Sequence, residues 1–433
     1  MAVRTIRRMI AFSQRRAGAA GQKIGLMMRA VLDHPDVLSL AAGYVDRATL
    51  PRPLVRSLAD ELLEADDAGR DALQYGDPAG NRRLREAVAA RLRLLEEQSD
   101  SGGRATAEDL LMTSGSNQFL SLMFETLLDP GDICLVASPT YFVVTGMLRG
   151  VLARPYGVAT DEEGMTPEGL DAALTAIEEA GDLVKVKLVY VVSYHDNPAG
   201  TNPSRQRREK LLQVVNRWRQ KQPLMVAEDA AYRELTYDGP REPSLWGLDR
   251  AAGGDSVVYS QTFSKSFSPG LRVGFGTGPA ALIDAMLDRK ANEDFGSPHF
   301  SQSLMLKVFE SGRYEQHVEA LTDSYRRKRD AALAAMDENF AGIDGATWSR
   351  PRGGLYVWVT LPKSVCTDFD GPLWRAAVEG QKVMYVPGQV AFAAEPSPQH
   401  RHMRLSFGVL SESDIAEGIG RLAAAVRSVA NAS

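Results

Sequence analysis

From about residue 56 onward the chain alternates between two hydrophobic periods. Residues 83–95 (RLREAVAARLRLL) place apolar positions at helical spacing with charges on the opposite face, and 118–128 (QFLSLMFETLL) read as a more buried helix. Short apolar or β-branched runs follow: ICLVA at 133–137, VKLVYVV at 186–192, PLMVAED at 223–229, SVVYSQ at 256–261 and RVGFG at 272–276. Most are apolar throughout instead of alternating, as parallel strands covered on both faces require. Helices fall between them. Thr166-Pro167 starts one that runs to about Ala180, and Ser204 caps another through about Gln220. This order predicts an α/β fold with a doubly wound, mostly parallel sheet.

After about residue 315 the pattern changes. The charged segment 314–338 predicts a long helix bridging two bodies. GGLYVWVTL at 353–361, KVMYVPG at 382–388 and MRLSFGVL at 403–410 show more strand-like alternation and lead into a helix at 412–430. They predict a smaller α+β domain. The expected division is 1–55 as an N-terminal arm with part of the small domain, 56–318 as the large domain and 319–433 as the small C-terminal domain. Length agrees, since 433 residues exceed what one hydrophobic core usually supports.

Composition narrows the function classes. An apolar share of 44% with 24% charged residues is ordinary for a globular protein, and no apolar run reaches the roughly 18 to 20 residues of a membrane helix. A net charge of −5 does not point to a nucleic-acid partner. Cys134 and Cys366 stand alone, which excludes a disulfide framework, CxxC metal ribbons and dithiol redox chemistry. There is no HExxH, and His400 with His402 is the only close histidine pair, so no metal site is expected. Residues 1–32 carry seven basic groups and no acid, which leaves the other 401 residues at −12. Such a start resembles a transit peptide, but it is poor in serine, has no apolar stretch of secretory length and is expected to be an arm or short lead. Two cysteines without a signal peptide point to a reducing, cytoplasmic setting.

Four segments carry residues that the fold alone does not demand. Thr113-Ser-Gly-Ser-Asn117 opens the helix near Gln118, where Gly115, Ser116 and Asn117 either seat a phosphate on free backbone N–H groups or act as ordinary caps. Asn197, in Asp196-Asn-Pro-Ala-Gly-Thr-Asn-Pro203, follows an apolar run, at the strand end where α/β ligands bind or simply in an Asn-Pro turn. Asp229 closes a third run. It either meets a cationic partner such as a ring nitrogen, with Tyr232 reaching the same ligand, or caps the next helix. The fourth segment, 260–278, is the most specific. It sets Lys265 among hydroxyl residues, with Thr262, Ser264 and Arg272 making a phosphate seat. A lysine in a partly apolar site loses its proton readily and attacks carbonyls.

In this order the motifs resemble the fold type I pyridoxal-phosphate enzymes, and more narrowly the class I/II aminotransferases nearest the 2-aminoadipate and kynurenine aminotransferase group. The resemblance runs from about Leu38 to the C-terminus and includes LSLAAGYVDRATLP at 38–51, LQYGDPAGNRRLREAV at 73–88, PRGGLYVWVTLP at 351–362 and MRLSFGVLSESDIAEGIGRL at 403–422. It implies that pyridoxal 5'-phosphate is the cofactor and that Lys265 forms the internal aldimine and shuttles the proton. Asp229 would pair with the pyridinium nitrogen, Asn197 and Tyr232 would bond the phenolic oxygen, and Tyr141 would stack on the ring. Gly115, Ser116, Asn117, Thr262, Ser264 and Arg272 would hold the phosphate, and Tyr75 would reach it across a homodimer interface. Arg404 would grip the substrate carboxylate, with Gly43 and Tyr44 on the substrate side. Met403, Leu405 and Phe407 alternate with Arg404 and Ser406 along that strand.

The chain departs from the family at Asn117, where relatives usually carry Gln, and at Tyr194-His195-Asp196, where relatives usually have a longer hydrophobic or Gln-containing lead into Asn-Pro. His195 is expected to be a structural strand-end histidine, and Arg29 is a candidate for an acidic substrate side chain. The implied reaction is ping-pong transfer of an amino group from an L-amino acid to a 2-oxo acid, 2-oxoglutarate above all. The alternative is another reaction of the same cofactor, such as that of a β-lyase, a cyclising synthase or a decarboxylase. Transcription regulators with an aminotransferase-like domain carry a longer N-terminal extension than the 37 residues here, so no nucleic-acid partner is expected.

Overall fold

The computed structural model describes residues 11–19, 34, 36–369, 371–393 and 399–430. Strand β1 (Leu38–Ser39) lies outside the main sheet. That sheet comprises β2 (Leu111–Thr113), β3 (Ile133–Ser138), β4 (Arg154–Asp161), β5 (Gly164–Met165), β6 (Val186–Val192), β7 (Met225–Asp229), β8 (Val257–Thr262) and β9 (Gly274–Thr277). Their spatial order is β2-β9-β8-β7-β6-β3-β4-β5. The pairs from β8 through β7, β6 and β3 to β4 are parallel. Both faces are covered. Val189, Val191 and Val226 pack on one side, and Leu188, Tyr190, Val192 and Ala227 on the other, which is why these strands read as unbroken apolar runs.

One strand departs from its sequence reading. RVGFG was expected to open at Arg272, but β9 starts at Gly274 and runs antiparallel to both β8 and β2. Only residues 263–273 join it to β8, too few for a parallel crossover. Arg272 sits instead at the end of a 3₁₀ turn, Pro269–Leu271, with φ of 54°. The helix starts follow their caps. Thr166 Oγ1 accepts from the Gly169 N–H at 3.1 Å ahead of Pro167–Glu179, and Ser204 Oγ accepts from the Arg207 N–H at 3.3 Å ahead of Arg205–Trp218.

The second body is an antiparallel sheet, β10-β11-β14-β13, of β10 (Thr347–Trp348), β11 (Tyr356–Thr360), β14 (His402–Ser406) and β13 (Val386–Pro387). KVMYVPG is two strands and not one: β12 (Val383–Met384) pairs in parallel with β1, and Val386–Pro387 joins β14. Pro387 lacks an N–H and suits this edge position. Helices Arg313–Phe340 and Glu412–Ala430 pack on one another and share a core with Leu355, Val359 and Leu405. Tyr232 and Tyr237, from the loop after β7, belong to that same core and tie the two bodies together. Helix Gln14–Ala19 lies against Phe142–Gly150, while Arg29 falls outside the described residues. Among the described residues no helix is long and apolar enough to cross a membrane.

Candidate active site

The carboxyl ends of β6, β7 and β8 converge where open α/β sheets bind ligands. Asn197 follows β6, Asp229 is the last residue of β7, and Thr262 is the last of β8, with Ser264 and Lys265 just beyond. Together with Ser116, Asn117, Tyr141, Tyr232 and Arg272 they line one cavity of about 150 Å³.

One end of the cavity is built for an anion. Helix Ser116–Leu127 starts there, and its N-cap is Gly115 at φ of 81°, with no side-chain cap. Ser116 and Asn117 are therefore first-turn residues whose amides lack intrahelical acceptors, and the capping alternative for them does not hold. Arg272 reaches across: Nη2 donates to the Ser114 carbonyl at 3.1 Å and Nη1 to Ser264 Oγ at 3.4 Å. The Thr262 and Ser264 hydroxyls lie 2.9 Å apart. Among the described residues Arg272 has no carboxylate partner, which leaves its charge to a ligand.

Elsewhere the cavity wall holds an anion in need of a cation. Asp229 is 3% exposed, accepts from Tyr190 Oη at 2.8 Å and from the Ala231 N–H at 3.2 Å, and has no basic partner among the described residues. Burial pushes its carboxyl up to about 6, opposed by these two hydrogen bonds, and the like charge of Glu228 adds to the rise. The residues after Asp229 form turns, so it caps no helix. A protonated ring nitrogen is the partner its chemistry lacks.

Lys265 is half-buried, and its Nζ donates to the Gly43 carbonyl at 2.9 Å. Burial lowers its pKa; Tyr356 opposes this, and the Arg404 and Arg272 cations lower it further. It has no carboxylate partner among the described residues. Arg404, from β14, is 3% exposed. Its Nη1 donates to Asn197 Oδ1 at 2.9 Å and its Nη2 to the Ala41 carbonyl at 2.7 Å, while Nε has no partner. A buried cation left without a counter-ion is costly, so the guanidinium is set for a carboxylate. A Cβ on Gly43 would come within 2.9 Å of Tyr356 Oη and 3.8 Å of Arg404 Nη2, which puts Gly43 beside the arginine.

Two expected residues do not join this group within the chain. Tyr44 is 56% exposed and Tyr75 78% exposed, the latter edge-on to the exposed Phe295 ring at 5.4 Å. His195 is buried at φ of 47° and does not line the cavity. The Thr236 hydroxyl donates to the Arg233 carbonyl at 3.1 Å, so it accepts from His195 Nε2 at 2.8 Å, and the bare Nδ1 has no partner. Burial holds this imidazole neutral, with its pKa lowered to about 3.

Two tyrosines were missed. Tyr356 Oη lies 3.1 Å from Tyr232 Oη, and its ring carries the Arg404 guanidinium 4.4 Å from the centroid. Tyr190 holds Asp229. The sequence signal for each was a phenol inside an otherwise apolar strand, which reads as core unless the strand end beyond it is already known to face a ligand.

An arrangement of this kind, at the strand ends of a large parallel sheet and closed by a smaller α+β body, is that of a fold type I pyridoxal-phosphate enzyme. The family model described as aminotransferase class I and II matches residues 35–422, and the chain belongs to that family. It is 33% identical to the aromatic-amino-acid aminotransferase 1 of Thermococcus litoralis, over 96% of this chain and 94% of the relative. Among solved structures, Pyrococcus horikoshii kynurenine aminotransferase in complex with PMP superposes with a TM-score of 0.86 at 31% identity, covering 96% and 97% of the two chains. LysN, the α-aminoadipate aminotransferase of Thermus thermophilus complexed with N-(5'-phosphopyridoxyl)-L-leucine, gives 0.83 at 30% identity and 98% of both. The protein is a pyridoxal-phosphate-dependent aminotransferase.

Proposed function

We propose that the protein moves the amino group of an L-amino acid to a 2-oxo acid in two alternating half-reactions at this one cavity, with Lys265 carrying the proton. The observation that supports it is the Lys265 amine, held at the Gly43 carbonyl beside the buried and incompletely paired Arg404. When bound, pyridoxal 5'-phosphate supplies an electrophilic aldehyde and an electron-withdrawing ring. The helix start at Ser116, with Arg272, Thr262 and Ser264, holds its phosphate, and the Asp229 carboxylate keeps its ring nitrogen protonated. Asn197 and Tyr232 would bond its phenolic oxygen, and Tyr141 would cover its face. Arg404 takes the substrate α-carboxylate, which orients the Cα–H bond toward Lys265. Lys265 Nζ, whose buried amine gives up its own proton readily, would take the Cα proton and pass it to the former aldehyde carbon, on the far side of the amino nitrogen.

The acceptor in this proposal is 2-oxoglutarate, on the resemblance to the family. Two copies of the chain would complete the site, Tyr75 of each reaching the other's phosphate; its exposure beside Leu73 and Phe295 supports that reading. A cytoplasmic setting, on the solitary cysteines, and the division at 55/56 and 318/319 belong to the same proposal. So do the roles given to Tyr44 and Tyr75. The test is one turnover of holoenzyme across a panel of amino acids with no acceptor present. One equivalent of 2-oxo acid per site with no ammonia and no carbon dioxide is expected. Ammonia would mark a lyase and carbon dioxide a decarboxylase.

A further inference from the structure

Tyr190 and Asp229 stand on adjacent parallel strands. The register sets Tyr190 opposite Ala227 and Val192 opposite Asp229, so the phenol and the carboxylate are diagonal neighbours on one face of the sheet. That diagonal is long for a small side chain and within reach of an aromatic one. Tyr190 is wholly buried, amid the apolar layer that includes Cys134, Val136 and Leu188. A phenol placed there is costly unless its hydroxyl is paired, and Asp229 Oδ2, at 2.8 Å, is the partner found for it. Asp229 itself has up to four lone-pair positions to satisfy, of which Tyr190 and the Ala231 N–H take two.

We propose that Tyr190 is the positioning residue of Asp229: its hydroxyl fixes the carboxylate by one oxygen and keeps it an anion facing the cavity, so that the ring nitrogen of the cofactor meets a charge already in place. The inference rests on the reading of Asp229 as the partner of that nitrogen. A hydrogen bond to a carboxylate favours its charged form and opposes burial. The other acids nearby work against the charge. Glu228 precedes Asp229 on the opposite face of the strand and raises its carboxyl, while Asp196, buried in the loop after β6 with Oδ1 unpartnered, is itself pushed well up by burial and by the Asp229 charge. Tyr141 lies within the same field. Without the Tyr190 hydroxyl, Oδ2 would be buried bare, and the carboxyl would take up a proton in its place.

The experiment compares two cofactors on holoenzyme stripped and retitrated: pyridoxal phosphate, and its 1-deaza analogue in which carbon replaces the ring nitrogen. For Y190F the affinity for pyridoxal phosphate is expected to fall about tenfold or more, while the affinity for the analogue stays within about twofold of wild type. In a D229N background, Y190F should add no further loss. Equal losses for both cofactors would show a merely structural tyrosine and overturn the proposal, as would no loss for either. If Y190F does not fold, site-specific difluorotyrosine at position 190 keeps ring and hydroxyl while making the donor more acidic. A changed affinity for pyridoxal phosphate alone supports the proposal, and no change overturns it. Wild-type protein that fails to bind pyridoxal phosphate more tightly than the analogue would instead refute the reading of Asp229.

Discussion

Arg404 shows what a single side chain contributes. Its guanidinium is buried against the Tyr356 ring and held by Asn197 and the Ala41 carbonyl, yet Nε is unpaired and no acid among the described residues neutralises it. Replacing it by Gln should cost about 10- to 150-fold in kcat/KM for an amino acid, the range of a hydrogen-bonded charge contact. For the corresponding amine without a carboxylate the same variant should change little, so the ratio between the two substrates is the measurement; an unchanged ratio would remove Arg404 from substrate binding. At this scale the sequence was informative where polarity broke an apolar pattern. Asn197, Asp229, Thr262 and Lys265 each follow or end a buried strand, and the structure brings them to one cavity. Tyr190 and Tyr356 were not legible because a tyrosine within a buried strand fits the apolar pattern. Tyr44 and Tyr75 were named through the family, and nothing within one chain draws them to the cavity.

The proposed phosphate seat is a property of elements, since it needs the start of β9 to lie against the turn before helix Ser116–Leu127. A Cβ on Gly274 would come 2.7 Å from Gly115 Cα and carbonyl carbon, so the two backbones are in contact and neither can yield cheaply. G274A should therefore push the turn off the sheet and speed loss of pyridoxal phosphate on dilution on the order of tenfold. Affinity for pyridoxal, which lacks the phosphate, should change far less; equal changes would place the effect elsewhere. Element types and most boundaries were readable from hydrophobic period and caps, as at Thr166 and Ser204. The direction of β9 and the break at Tyr385 were not. Period describes which faces are buried, whereas direction depends on connection length and on which neighbour offers free N–H and C=O groups.

Across the whole molecule, the buried histidines set a limit on the acid side. Burial lowers His195 to about 3 and His402 to about 4, and also lowers His317. A histidine whose folded pKa lies below its unfolded value of 6.5 gains its proton first in the unfolded chain. Its contribution is intact above pH 6.5 and declines as the pH falls toward the folded value. For His195 that loss is roughly 4 kcal/mol by pH 3. Asp229 acts in the opposite sense: its carboxyl, raised to about 6, favours folding of the cofactor-free protein as the pH falls from there toward 4. The thermal stability of that form should fall below about pH 6.5, and H195N, which keeps a residue tolerant of positive φ, should flatten the decline. An identical decline in H195N would contradict a neutral buried His195.

In the whole molecule the large and small sheets share one core through Tyr232 and Tyr237, a junction not legible in the sequence. At their junction Tyr232, from the loop after β7, meets Tyr356 of the small sheet, and Lys265 lines the same cavity as Tyr232 and lies in the field of Tyr356. That lysine is the centre of the account. The measurement that tests it most directly is exchange of the substrate Cα hydrogen with solvent, in holoenzyme and in K265A reconstituted with pyridoxal phosphate. Exchange should be slower in K265A by about three orders of magnitude, within the range a positioned proton carrier supplies. Exchange and amino transfer at the wild-type rate in K265A would contradict it.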